Sequence, residues 1–399
     1  MSLDRDAVRG YILVSFSEGG MGKFGQVGVF EVAAFWMAVV VSMVNFALPL
    51  LAMRFGASPF QLGLVGTVGS LCYTLAAPFA GRLADRFRPK RLMLIGAAIY
   101  AGVYTVAVWT GSVGYLLLLV GLGGGVMSLF WPPLATWIAE GKGREALAKA
   151  LGGYNMAWCA GVVVGPLLGG VAFQTDFRLP FWGAAAIDLA ILAILVRVPE
   201  GRRTSAPDVG PPSERCGGRS LLYAVWVANF AGYFTMGTVR SLFPKLGTEI
   251  GFSPRTLGIL MAVISLTQLT TFAYYRARGG KGIKMRNLLL AQLSGTVGMA
   301  SVMTSERFEG FALGFLLLGL LLGTTYSFGI FYSLYGQVQM GAYSGLNEAI
   351  VGSGLLSGPF LGGWVAQGWG LRAPYLLCTS VIAGALVAEC ALMRRAQRS

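Results

Sequence analysis

Long apolar runs recur along almost the whole chain, separated by short polar breaks. Stretches of about 20 residues, each able to cross a hydrocarbon core of roughly 30 Å, fall near 28–52, 59–80, 91–110, 113–138, 146–172, 179–197, 220–244, 254–275, 286–304, 310–335, 342–367 and 373–393. Lipid offers no partner to an unpaired backbone group, so each is predicted to be a helix. Six precede and six follow the one long polar interruption, 198–219. That segment holds Arg202, Arg203, Pro207, Pro211, Pro212, Gly217 and Gly218 and reads as a flexible linker. The pattern predicts an all-α membrane protein: tail 1–27, a six-helix bundle 28–197, linker 198–219, a six-helix bundle 220–394 and tail 395–399.

The two bundles repeat one another. Gly56-x-Ser58-Pro59-x-x-Leu62-Gly63 returns as Gly251-x-Ser253-Pro254-x-x-Leu257-Gly258. Gly165-Pro166-x-x-Gly169-Gly170 returns as Gly358-Pro359-x-x-Gly362-Gly363, and Arg178-x-Pro180 as Arg372-x-Pro374. Three matches in one order, at offsets of 193 to 195, predict pseudo-symmetric halves with a cleft or pore between them, as in many secondary transporters.

Composition agrees with the pattern: 55% of residues are hydrophobic and 12% charged, against roughly 25% charged in soluble domains. The net charge of +14 suggests a nucleic-acid partner until its distribution is considered. With the amino terminus inside, 24 of the 31 Lys and Arg fall in cytoplasmic segments. The charge is then a positive-inside bias, which predicts a multi-pass protein of the cell inner (plasma) membrane with both termini cytoplasmic and excludes a nucleic-acid footprint. The cysteines, Cys72, Cys159, Cys216, Cys378 and Cys390, avoid the outer loops, so no disulfide is expected. Residues 1–27 lack the features of a cleavable signal, and Met21 is a plausible alternative start.

Between the second and third spans stands Gly81-Arg82-Leu83-Ala84-Asp85-Arg86-Phe87-Arg88-Pro89-Lys90-Arg91. It resembles the cytoplasmic loop signature of the major facilitator superfamily, G-x-L-A-D-R-x-G-R-K, with Arg88 and Pro89 departing from it. The resemblance extends to twelve spans in two halves and implies the fold of that superfamily, of the drug or metabolite efflux type. It also implies a gating loop of Gly81, Asp85, Arg86 and Arg91, in which Asp85 meets the start of span 11 near Ser344 and latches the halves. Gly81 permits close approach because it lacks Cβ. An acid at Asp85 suits a helix N-terminus or an arginine pair. Gly161, Gly165, Pro166, Gly169 and Gly170 match the motif that the family associates with antiporters. The bare alternative is a tightly packed, proline-kinked helix. The embedded arginine that family exporters often carry in span 4 is absent.

Polar groups inside a membrane are costly unless they face protein or water. The repeat pairs Asn155 with Glu348 and Asn45 with Arg240; in the family these helices line or flank the cleft. Glu348 and Arg240 lie at opposite depths, so no direct pair is expected between them. The chain has no histidine, so a proton carrier must be a carboxylate or a tyrosine. Glu348 is the preferred candidate, with Asp188 and Glu31 as others. Each has a structural alternative: helix-start bonding for Glu348, pairing within its half for Asp188, a favourable N-terminal charge for Glu31. Glu389 is expected to snorkel to the surface. Trp131, Trp158, Tyr326 and Tyr332 belong to aromatic groups that suit an organic-molecule pocket, although such residues also populate membrane interfaces. Pro132-Pro133 must break or bend span 4.

No nucleotide-binding loop, metal-ligand spacing or nucleophile constellation is present, so neither an enzyme nor a metal or cofactor is expected. The favoured reading is a monomeric secondary active transporter, working by alternating access, whose partners are the lipid bilayer, protons and an amphipathic or aromatic small molecule that it exports. A symporter or uniporter taking up a small metabolite is the alternative, and a non-transporting sensor or assembly factor is a third.

Overall fold

The computed structural model describes residues 24–139, 144–198, 219–278, 284–334 and 340–398. In the first half are α1 (Phe24–Arg54), α2 (Pro59–Arg86), α3 (Pro89–Ala107), α4 (Val113–Met127), α5 (Trp131–Ala139), α6 (Arg144–Thr175) and α7 (Leu179–Arg197). In the second are α8 (Arg219–Ile250), α9 (Pro254–Arg278), α10 (Met285–Thr304), α11 (Phe308–Leu334), α12 (Met340–Trp369) and α13 (Ala373–Arg398). With α4 and α5 counted as one broken span, these are twelve transmembrane helices in two pseudo-symmetric bundles of six. Ten are long and apolar enough to cross a membrane on their own account. The other two, α8 and α10, carry Arg240, Lys245 and Glu249, and Arg286, Asn287 and Gln292. The linker lies outside the described residues apart from its end positions.

The first repeat has a local physical origin. Ser58 caps α2 in a capping box with Gln61: the Ser58 hydroxyl accepts from Gln61 N–H at 3.3 Å and Gln61 Oε1 from Ser58 N–H at 2.9 Å. Pro59 occupies the first turn, where its missing N–H costs nothing. In the second half the Ser253 hydroxyl accepts from Thr256 N–H at 3.2 Å. Gly56 and Gly251 make the preceding turns at φ 78° and 99°, a conformation open to glycine. Leu62 and Leu257 are fully buried. Span 4 breaks where the proline pair predicts it. Ser128, Leu129 and Phe130 N–H groups turn back to the carbonyls three residues earlier, and α5 begins at Trp131.

Each half has its own hydrophobic core, and Phe46 and Leu50 of α1 extend the second core across the boundary. The halves meet through α2 against α12 and α6 against α9. The helices alternate in direction, so the start of α2, the end of α6, the start of α9 and the end of α12 all lie at the face away from the termini. Closure there is backbone on backbone. A Cβ added to Gly63 would overlap the Pro359 carbonyl oxygen and stand 3.0 Å from Gly363 Cα. One added to Gly258 would overlap the Pro166 carbonyl oxygen and stand 3.2 Å from Gly170 Cα. These two contacts are the repeat applied to itself. Thr67 Oγ1 adds a hydrogen bond to the Leu356 carbonyl at 3.2 Å. Near the termini the picture reverses: a Cβ on Gly81 would have nothing within 4 Å.

Polar side chains pin helices within the second half, as expected where lipid competes for no hydrogen bond. Asn229 Nδ2 donates to Asn347 Oδ1 at 2.8 Å, joining α8 to α12, and Trp226 Nε1 donates to Ser333 Oγ at 3.3 Å, joining α8 to α11. Glu389 does not snorkel. It is fully buried and accepts from Gln292 Nε2 at 2.6 Å, because its face of α13 turns toward α10 and away from the head groups.

Candidate functional site

Glu348 and Tyr326, both nominated from the sequence, are brought into contact. Glu348 sits on the third turn of α12 and is exposed, and its Oε1 accepts from the Tyr326 hydroxyl of α11 at 3.0 Å. The Tyr326 ring meets Tyr233 of α8 at 5.9 Å and Phe272 of α9 at 5.8 Å. The Tyr233 hydroxyl in turn accepts from Gln268 Nε2 at 3.3 Å. One acid, on α12, is thereby set against an aromatic wall supplied by α8, α9 and α11 of the second half. The hydroxyls of both tyrosines are hydrogen-bonded, which leaves their rings as the apolar part of the wall.

Arg240 lies two helical turns beyond Tyr233, toward the closed face, about 10 Å further at 1.5 Å per residue. It lines a cavity with Ser42, Phe46, Pro166, Met236, Met261 and Ser265, contributed by α1, α6, α8 and α9, hence by both halves. Its repeat partner Asn45 is half-buried on α1 and is not among the residues lining that cavity. Glu348 and Arg240 thus stand at different depths with no ion pair between them, acid toward the termini and base toward the closed end.

In the first half, the Trp131 ring of α5 meets Tyr154 of α6 at 6.3 Å, and Asn155 and Trp158 are exposed on α6. Tyr332 is placed elsewhere. It packs with Phe331 and Phe328 near a small separate core of Val225, Ala228, Tyr275, Leu288 and Phe328.

Of the other acids, Asp188 on α7 is fully buried and neither carboxyl oxygen has a hydrogen-bond partner. It faces the interior of the first half and not the wall around Glu348. Glu31 on α1 is half-buried, with its carboxyl group against the backbone of Gly153 on α6.

Gly81 ends no close contact, and Arg86 and Arg91 are exposed. The side chains of Asp85 and Ser344 lie outside the described residues. A neighbouring member of the loop has a definite partner: Lys90 Nζ donates to the Val196 and Val198 carbonyls at 2.9 and 2.7 Å. A cation there satisfies the open carbonyls at the end of α7 and opposes the negative end of its dipole.

The glycine motif of α6 divides its labour by position. Gly161, Gly165 and Gly169 pack α6 onto α1, against Phe35, Ser42 and Met43, while Gly170 meets Pro254 and Gly258 of the other half. In α12, Gly354, Gly358 and Gly362 pack onto α8 and Gly363 meets Gly63. The same stripe performs the same packing in both halves, with Pro166 and Pro359 supplying the carbonyls at the crossing.

The sequence reading did not nominate Tyr233, Gln268 or Phe272. Gln268 carried a usable signal, a polar residue in mid-span; Tyr233 is one tyrosine among 15 and carried none.

The profile of the Major Facilitator Superfamily matches residues 31–338. Among curated relatives, Multidrug resistance protein 2 of Bacillus subtilis is 24% identical over 327 residues, covering 76% of this chain and 79% of that protein. Quinolone resistance protein NorA of Staphylococcus aureus is 27% identical over 177 residues, covering 43% of this chain and 44% of that protein. A solved structure of a bacterial homologue of the human lysosomal transporter Spinster, inward-facing and occupied, superposes with a TM-score of 0.77 at 14% identity, covering 94% of this chain and 98% of that one.

Proposed function

The chain belongs to the Major Facilitator Superfamily and is a multi-pass membrane transporter, and we propose that it is a proton-driven exporter of amphipathic or aromatic small molecules working by alternating access. The observation that carries this reading is the hydrogen bond between Glu348 and Tyr326 at 3.0 Å, within an aromatic wall open toward the termini. A carboxyl group there can bind a proton taken from one side and release it to the other, while the surrounding rings hold the apolar body of a solute. The names of its relatives in Bacillus subtilis and Staphylococcus aureus, which refer to multidrug and quinolone resistance, support an organic cargo and outward direction.

With both termini and the linker in the cytoplasm of a plasma-membrane protein, the arrangement is inward-facing: glycine contacts close the outer end and the Glu348 side stands open. The family's loop latch, with Asp85 as its acid, then belongs to the opposite, outward-facing state. In a cysteine-free background, a single cysteine at Arg307 is expected to react with an impermeant thiol reagent added to intact cells, and one at Arg215 is expected to be protected. Equal labelling of the two would refute this orientation.

The transport reading is tested in proteoliposomes holding the purified protein and an aromatic dye. An imposed pH difference is expected to drive dye movement opposite to proton movement, with the gradient collapsing faster when dye is present. Movement of dye and protons in the same direction would make the protein a symporter, and no movement of any dye under a gradient would remove transport of this class.

A further inference from the structure

Arg240 is a cation set within the membrane-spanning core, and among the described residues it has no hydrogen bond or ion pair. The ion pairs present among them join Lys245 to Glu249 and Arg372 to Glu306, both at the surface. The nearest side chains around the Arg240 cavity are neutral: Ser42, Phe46, Met236, Met261 and Ser265. A charged group so placed is costly unless something compensates it, and the one nearby carboxylate of the wall, Glu348, is engaged by Tyr326 at another depth.

From this uncompensated charge on Arg240 we infer that the transported molecules carry an anionic group, a carboxylate or sulfonate, which Arg240 receives at the closed end of the cleft. The inference rests on the transport reading given above and names its substrate class. The dimensions admit the leading oxygen of an anionic head group and leave the ring outside. The cavity has room for roughly one oxygen-sized group. Tyr233, Tyr326 and Phe272 begin about 10 Å nearer the termini and supply the apolar contact for the rest of the molecule. The planar guanidinium presents paired donors that match a carboxylate or sulfonate edge, and Ser42 and Ser265 stand beside it as further polar groups. Because the cavity walls come from α1 and α6 on one side and α8 and α9 on the other, an anion held there touches both halves. It can therefore favour one arrangement of the halves over the other, as alternating access requires.

The test uses the purified full chain in detergent and three probes with one ring system: 4-(1-pyrenyl)butanoate, its methyl ester, and a pyrenylbutyl-trimethylammonium. Binding is read from quenching of protein tryptophan fluorescence. The carboxylate is expected to bind about tenfold or more tighter than the ester, in line with a hydrogen bond to a charged group. Arg240→Gln is expected to erase that preference while leaving ester affinity within about twofold. Arg240→Lys keeps the charge without the fork and is expected to retain part of the preference; it also serves if the glutamine variant folds poorly. Equal binding of acid and ester by the unaltered protein, preference for the ammonium probe, or an acid preference that survives Arg240→Gln would each overturn the assignment while leaving transport of aromatic solutes standing. Failure of all three probes to bind or to be moved in proteoliposomes would instead remove the transport reading for this solute class, and the anion assignment with it.

Discussion

Replacing Gly63 and Gly258 together by valine is expected to hold the face away from the termini open and to abolish net transport. Each glycine sits where a Cβ would overlap a proline carbonyl of the opposite half, Pro359 or Pro166, with glycine Cα atoms directly behind. The obstacle is backbone on kinked helices, not a side chain that can swing away, so relief requires the halves to part. Overfilling a tight contact costs about 1–3 kcal/mol per site. Two sites sum to about 2–6 kcal/mol, against the roughly 5.5 kcal/mol that reverses a 99:1 equilibrium. Spin labels on Thr175, at the end of α6, and Glu306, between α10 and α11, both at that face, are expected to show a longer and broader distance distribution in the double variant. Single alanine variants should lie between it and the unaltered protein. Gly81→Ala serves as a control, since a Cβ there meets nothing in the present arrangement. An unchanged distance in the valine double variant would show that closure does not depend on these contacts.

The second large effect is expected at Glu348. Glu348→Gln preserves shape and removes the exchangeable charge, so pH-driven accumulation should disappear while counterflow exchange of labelled for unlabelled solute persists. Tyr326→Phe removes the donor to Glu348 Oε1 and leaves the ring contacts with Tyr233 and Phe272. It is expected to lower the coupled rate several-fold with coupling retained. Accumulation and exchange are measured under an imposed pH step and normalised to folded protein. A Glu348→Gln protein that still accumulates solute would exclude the acid as carrier and direct attention to Asp188. That residue is fully buried on α7 with both carboxyl oxygens without a hydrogen-bond partner.

Much of the architecture is legible in the sequence. Spans of about 20 apolar residues follow from the thickness of a bilayer. The repeat Gly-x-Ser-Pro-x-x-Leu-Gly is a helix-start device whose parts act locally: a glycine turn, a serine cap, a proline in the first turn and a buried leucine. The break in span 4 follows from two prolines that cannot donate. Each of these depends on forces acting within a few residues of the chain, and sequence determines such forces directly.

The arrangement of side chains around the cleft was a different matter. Helices that are apolar on nearly every side carry no polar face to set their rotation. Glu389 therefore looked free to reach the head groups, whereas packing of α13 on α10 turned it inward onto Gln292. For the same reason Tyr332 and Tyr326, on one helix and six residues apart, ended in separate surroundings, one beside Phe328 and one beside Glu348. The glycine motif shows both limits at once. Its spacing announced close helix contact, but only the tertiary structure decided that Gly161, Gly165 and Gly169 face α1 while Gly170 faces the other half. Sequence alone determined the helices, their number and their twofold repetition, because lipid thickness and helix capping act on short stretches of chain. The rotation of each helix, the meeting of Glu348 with Tyr326 and the position of Arg240 between the halves were decided by packing among helices distant in sequence.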